Sequence, residues 1–457
     1  MFKFEQVGNR IGSLATKLVQ NKYLATLRDS FIAIIPFTIV GAIAILIGSV
    51  LFGETMLGGI SGLEFLQDLQ PLFNAINYAS MNFLAIFIAF YIGSNLARHF
   101  NIENTTYAGI LSLASFIILV PTSVIFDPEN VNQVVDNVIS VNITGSRGLI
   151  IAILSGLLVT RFYIALLNID KLRIKLHESV PENVSRSFSS LIPTIIVMFT
   201  VGIFSFVFRE LTGLYVSEAV YEVLQLPLEA VMQHPLGILF AVLFAHILWV
   251  FGIHGSSIVN GIIDPMLFSA LATNSDLVSQ GLAPTEIVTR PFWNMYATMG
   301  GVGNTIALII AILIFSKRDD EKTIAKLGAG PGFFGINEPI TFGLPIVFNP
   351  IYAIPFILSP LVTASIGYFA TATGFAAPAI ANVPWSMPPL INGFIATGGD
   401  FGAVLTQLFG LIVTFFIYLP FVKLSNKQLI SNKQQASTDK KDDRLSDKHV
   451  ALEGEEL

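Results

Sequence analysis

The chain has 457 residues, of which 53% are hydrophobic and only 12% charged, with 38 phenylalanines and a net charge of -6. Soluble domains carry about 25% charged residues, so a single soluble globular domain is excluded, and apolar runs of roughly 20 residues or more point to a polytopic membrane protein. There is no cysteine, which removes disulfides, thiolate metal sites and a phosphocysteine of the chain's own.

Residues 1–30 carry Lys3, Arg10, Lys17, Lys22 and Arg28 between apolar residues. The pattern suits a cytoplasmic amphipathic segment lying on the inner leaflet, and no cleavable signal peptide is visible. Spans are expected near 31–52, 74–97, 106–125, 148–167 and 190–208, with a longer outer loop at 126–146. Residues 211–233 alternate acids and apolar residues at helical spacing and read as an interfacial linker helix. Further spans follow near 235–252, 256–275, 293–315, 351–373 and 402–422.

Two apolar stretches resist a continuous helix. Residues 327–350 contain Pro331, Pro339, Pro345 and Pro350, and 376–400 contain Pro378, Pro384, Pro388 and Pro389. Proline removes helical hydrogen bonds, and irregular backbone at membrane depth survives only inside protein or beside a watery cavity. Both stretches therefore read as re-entrant hairpins. The expected fold is an all-α integral membrane protein of about ten transmembrane helices plus two such hairpins. Basic clusters such as Lys171, Arg173, Lys175, Arg186, Lys317 and Lys322 then all face the cytoplasm, as do both termini. Residues 424–457 are polar and without periodicity, and read as a disordered cytoplasmic tail.

Polar side chains concentrate in the second half. Glu338 lies in the first hairpin, expected to be buried among Phe333, Phe334, Ile336, Ile340 and Phe342, and an ionisable group at membrane depth marks a functional site. A helix cap in a cytoplasmic loop is its plainer role. His254 sits between Gly252 and Gly255, followed by Ser256, Ser257, Asn260 and Asp264. Asn294 and Asn304 lie in the 293–315 span, Asn337 beside Glu338, and Trp385 and Asn392 in the second hairpin. Carboxylates, amides and an imidazole exchange hydrogen bonds with hydroxyls, so neutral polyols such as sugars fit best. Trp249 and Trp293 read instead as interfacial anchors. The six histidines are scattered, and no metal-ligand or Walker pattern occurs. No metal, cofactor or nucleic-acid partner is expected.

These residues resemble the IIC component of the bacterial phosphoenolpyruvate-dependent sugar phosphotransferase system, in its lactose, cellobiose and diacetylchitobiose family. The resemblance rests on LRDSFIAIIPFTIVG at 27–41, SVPENVSRSFSSLIP at 179–193, FGIHGSS at 251–257, FFGINEPITFGLPIVFNP at 333–350 and NVPWSMPPLINGFIATGGD at 382–400. It implies a permease of the cytoplasmic membrane and a homodimer, with residues 31–210 as interface domain and 234–423 as an elevator-like transport domain. It also implies that Glu338 and His254 face the sugar hydroxyl to be phosphorylated, with Trp385 in the site; because an apolar pocket suits a carboxylate to general-base work, Glu338 is expected to deprotonate that hydroxyl with His254 assisting. Asn337, Ser256 and Asn304 complete the expected substrate-binding set. Only residues 424–457 follow the last span and no cysteine exists. The phosphoryl group is therefore expected from a separate IIB protein, the chain being the membrane subunit of a phosphotransferase complex. The rival readings are an ion-coupled secondary sugar transporter and a degenerate member acting as a sugar sensor.

Overall fold

The computed structural model describes residues 20–53, 60–125, 134–174, 176–177, 180–344, 346 and 350–453. Most of the amphipathic segment expected at 1–30 lies outside them. Its described end is not a separate element, because helix α1 spans Lys22–Ile45 and carries Lys22 and Arg28 directly into the first span. The Asn21 side chain caps it by accepting from the backbone of Tyr23 at 2.9 Å and Leu24 at 3.2 Å. Thr26 and Ser30 donate back to the carbonyls of Lys22 and Thr26. The helix thus satisfies its own polar side chains and has no reason to break before the bilayer.

The first half continues with α2 (Gln70–Ser80), α3 (Leu84–His99), α4 (Thr105–Ile118), α5 (Leu149–Leu167) and α6 (Glu182–Thr212). Between α4 and α5 a short antiparallel ribbon pairs Ser123–Ile125 with Val134–Asp136, so this connection adds a strand pair among the helices. Residues 126–133 of that loop lie outside the described residues. Buried Ile34, Leu84, Ile88, Ile92 and Leu149 form the core of this half. Asn95 Nδ2 donates to Ser30 Oγ at 3.0 Å, and the His99 ring meets Asp29 at 3.1 Å, tying α3 to α1.

The linker forms helix over Val216–Gln233 and meets α7 (Pro235–Val250) at a bend of 80°. Pro235 takes the first position of α7, where its missing N–H costs nothing. Then come α8 (Gly255–Ser279), a π-helical turn at Trp293–Ala297, α9 (Thr305–Phe315), α10 (Asp319–Phe333) and α11 (Glu338–Gly343). The chain closes with α12 (Pro350–Ala372), α13 (Ile391–Ala396) and α14 (Phe401–Glu453). Two cores serve this half, one around Phe292, Trp293 and Tyr296, the other around Leu308, Ile312, Phe356 and Tyr418. Helix α8 joins both halves: Ile263 and Leu267 belong to the second, while Phe268 and Leu271 pack in the first. There Phe268 stacks on Phe31 of α1 with centroids 5.4 Å apart.

Among the described residues, eight helices are long and apolar enough to cross a membrane. They lie where eight of the expected spans lie. The stretches expected at 106–125 and 235–252 are the shorter helices α4 and α7.

Three expectations change. Helix α10 runs through Pro331 to Phe333 rather than stopping before it. Its last turn closes with Gly335 at φ 78° and with Ile336 N donating to Pro331 O at 3.0 Å, a glycine C-cap that tolerates a proline four residues earlier. The tail expected to be disordered continues α14 as helix to Glu453. Lysine and glutamine are good helix formers, and extension of an existing helix avoids the nucleation cost. Glu338 is exposed rather than buried, because it follows the tip of the hairpin at the first position of α11.

Candidate functional site

Four interruptions of helical backbone converge in the second half. The first is the turn from Phe251 to His254 between α7 and α8, with Gly252 at φ 78°. The second runs from Thr298 to Asn304, where Gly301 (φ 103°) and Gly303 (φ 75°) adopt backbone that side chains rarely tolerate. A Cβ on Gly301 would meet Asn337 at 2.8 Å, so this glycine also allows the first hairpin to approach. The third is the tip of that hairpin, Phe334–Asn337, and the fourth is the stretch around Trp385 in the second hairpin. Gly335 at the first tip faces the Trp385 carbonyl. Broken backbone of this kind is stable in a membrane where it borders an aqueous space, and here it encloses a cavity of ≈ 440 Å³.

Five of the six expected site residues line this cavity: Glu338, His254, Asn337, Trp385 and Ser256. Asn337, buried beside Glu338, donates from Nδ2 to Val302 O at 2.7 Å and to Thr341 Oγ1 at 3.3 Å. Thr341 in turn donates to the Asn337 carbonyl at 3.0 Å. The Asn337 amide nitrogen thus braces the hairpin against the 298–304 break.

His254 precedes α8 and caps it. Its Nδ1 accepts from Ser257 N at 3.2 Å and lies 2.8 Å from Ser257 Oγ. Because a backbone N–H can only donate, Nδ1 carries no proton in this arrangement, and the neutral ring's hydrogen sits on Nε2 as a free donor. The ring lies 4.4 Å from that of Trp249, whose Nε1 donates to Ser256 Oγ at 3.3 Å. Trp385 is 58% exposed and offers an open aromatic face.

Asn304 does not join them. It is fully buried, and its Nδ2 donates to Thr363 Oγ1 of α12 at 2.7 Å. Its left-handed φ of 53° starts α9 behind the cavity wall, so its role is to hold the break in shape. Asn392 is likewise committed, accepting from Gln407 at 2.9 Å. The two tryptophans read as interfacial anchors are instead interior: Trp249 is 3% and Trp293 1% exposed, and both line the cavity. Two arginines that sequence reasoning passed over, Arg28 of α1 and Arg290, line it as well. Helix α1 supplies Phe31, Ile32 and Ile35 to the wall, so the cavity lies where the two halves meet.

The lining combines hydrogen-bond donors and acceptors with aromatic faces, and balances two arginines against Asp264 and Glu338. Such a site suits an uncharged, hydroxyl-rich ligand.

Comparison with known proteins agrees. Residues 28–360 match the family model described as "Phosphotransferase system, EIIC". The oligo-beta-mannoside-specific EIIC component of Bacillus subtilis is 34% identical, over 95% of this chain and 96% of its own length. The cellobiose-specific EIIC component of Lactococcus lactis is 31% identical, over 91% of this chain and 96% of its own. The crystal structure of ChbC, the IIC component of an N,N'-diacetylchitobiose-specific phosphotransferase system, superposes with a TM-score of 0.86 at 32% identity. It covers 92% of this chain and 98% of its own. Lactose-specific EIICB components are also among the relatives. The chain is therefore a member of the EIIC family, the membrane permease components of the sugar phosphotransferase system.

Proposed function

We propose that this permease moves a β-linked disaccharide, of the cellobiose, diacetylchitobiose or lactose type, across the cytoplasmic membrane and releases it as the 6-phosphate. The observation that carries this reading is the placing of Glu338, His254 and Trp385 around one cavity at the meeting of the broken helices. The Trp385 face stacks on the apolar side of a pyranose ring. Glu338 orients the 6-hydroxyl and takes its proton, and the His254 Nε2 hydrogen bonds to the sugar oxygen. The phosphoryl group comes from a phosphocysteine of a separate IIB protein. The sulfur–phosphorus bond breaks, the sugar oxygen–phosphorus bond forms, and the proton passes to the carboxylate. Because almost no covalent work falls to the protein, positioning and charge supply the rate.

Residues 234–423 act as the transport domain and 31–210 as the dimer-interface domain, with both termini cytoplasmic. What supports the division is the composition of the cavity, built from the second half and closed on one side by α1. The dimer reading is supported by α6, whose span over Ser187–Thr212 is the least buried of the eight long apolar helices among the described residues, at 17%.

The test is phosphoryl transfer in proteoliposomes, with a phosphorylated IIB partner and a panel of labelled disaccharides. Accumulation of one sugar as its 6-phosphate is expected. Entry of unmodified sugar irrespective of the partner would sink the reading.

A further inference from the structure

The proposed transfer brings a phosphoryl group beside the Glu338 carboxylate, where the neutral His254 ring offers one hydrogen bond and no charge. The charge on the outer oxygens of a transferring phosphoryl group is stabilised by cations held in place beforehand. The lining contains two guanidinium groups, and they differ in where their counter-charges lie. Arg290 has its carboxylate within the lining, Asp264 at 3.3 Å. Arg28 of α1 has its own outside the lining: Nε and Nη2 both donate to Asp29 Oδ1, at 3.0 and 2.9 Å. Asp29 Oδ2 lies 3.1 Å from His99 Nε2 at the end of α3.

Asp29 and His99 thus fix one edge of the Arg28 guanidinium. Its remaining nitrogen, Nη1, has no partner among the described residues. The Arg28 side chain is 39% exposed, so a group in the cavity can reach it. The His254 ring feels the charges of both Glu338 and Arg28, which places the guanidinium near the proposed transfer. A purely structural role explains less. An ion pair this exposed adds little stability, and the tie between α1 and α3 is made by Asp29 and His99 without the arginine.

We infer that Arg28 is a further catalytic residue of the transfer. Its Nη1 donates to an oxygen of the phosphoryl group while the sulfur–phosphorus bond of the phosphocysteine breaks and the bond to the sugar oxygen forms. Asp29, backed by His99, is the positioning residue. The inference rests on the reading of the cavity as a phosphotransfer site reached from the cytoplasm. Arg28 belongs to the first half, Glu338 and His254 to the second, so the site is complete only while the second half stands against the start of α1. Chemistry is thereby tied to one position of the transport domain.

The test compares the full-length protein with Arg28→Gln and Arg28→Lys. Calorimetry measures affinity for the disaccharide that the native protein phosphorylates and for its 6-phosphate. Proteoliposomes give kcat and the KM for phosphorylated IIB. Arg28→Gln should bind the disaccharide within about twofold of native and the 6-phosphate about tenfold or more weakly, as loss of a hydrogen bond to a charged group predicts. Its kcat should fall by roughly 10³-fold, as for other arginines that contact a transferring phosphoryl group. Equal losses on both ligands, as a merely structural role would give, overturn the inference. So do native affinity for the 6-phosphate, a native protein that binds the sugar but not its 6-phosphate, an unchanged kcat, or a loss confined to the KM for IIB. Should Arg28→Gln fail to fold, Arg28→Lys decides, because it keeps the charge without the planar fork. Selective weakening of the 6-phosphate then supports the assignment, and native affinity overturns it. A native protein that phosphorylates none of the sugars would instead overturn the transfer reading itself.

Discussion

At the scale of single residues, position in the cavity separates chemistry from support. Glu338 is exposed at the cavity mouth while its neighbour Asn337 is buried and bonded to Val302 and Thr341. Glu338→Gln keeps the shape and removes the proposed base, so phosphoryl transfer should fall by about 100-fold or more. Sugar affinity and thermal stability should stay close to native, and calorimetry with a melting curve checks both. Asn304 predicts the reverse pattern. Asn304→Ala strips a buried bond to Thr363 and should cost about 1–3 kcal/mol of stability. Sugar affinity in whatever folds should be unchanged. A selective loss of sugar binding would return Asn304 to the site.

At the scale of elements, the first hairpin depends on an anchor far from its tip. Glu321 of α10 is 3% exposed. It accepts from Ser316 Oγ at 2.7 Å, Tyr352 OH at 3.0 Å and Ser425 Oγ at 2.5 Å, joining the 316–318 turn, α12 and α14. Arg318 lies 3.6 Å from the same carboxylate. Removing one member of a buried charged network leaves the others unpaired. Glu321→Ala should therefore lower the melting temperature measurably and slow phosphoryl transfer, because α10 carries the hairpin that presents Glu338. Glu321→Gln, which keeps part of the bonding, should fall between. Unchanged melting in Glu321→Ala would show that the hairpin is held from its tip alone.

At the scale of the whole molecule, the seam between α1 and the second half is where motion must occur if the transport domain slides. Asn382 of the second hairpin donates to Thr38 Oγ1 of α1 at 2.7 Å across that seam. The chain has no cysteine, so a Thr38→Cys, Asn382→Cys pair can be joined by an oxidatively formed disulfide without background. Cross-linking should abolish uptake while sugar binding survives in detergent, and reduction should restore transport. Full uptake by the cross-linked protein would exclude a sliding second half.

The amino-acid sequence alone determined the class of the molecule. Apolar runs of bilayer length, prolines in two of them and a lone glutamate in a hairpin are local properties, and local properties survive without coordinates. That is why Glu338, His254 and Trp385 were legible, each standing in a motif of fixed spacing. Only the tertiary structure decided the rest of the lining. Arg28 and Arg290 lie about 260 residues apart in the chain, and neither has a local signature that distinguishes it from a basic residue at a helix end. Trp249 and Trp293 bear the composition of interfacial anchors, yet packing carries them inward. Asn304 looks like any polar residue of a span until α12 is seen to claim its amide. Which polar group faces a cavity and which braces its wall depends on partners distant in sequence, and those are set by how the helices pack.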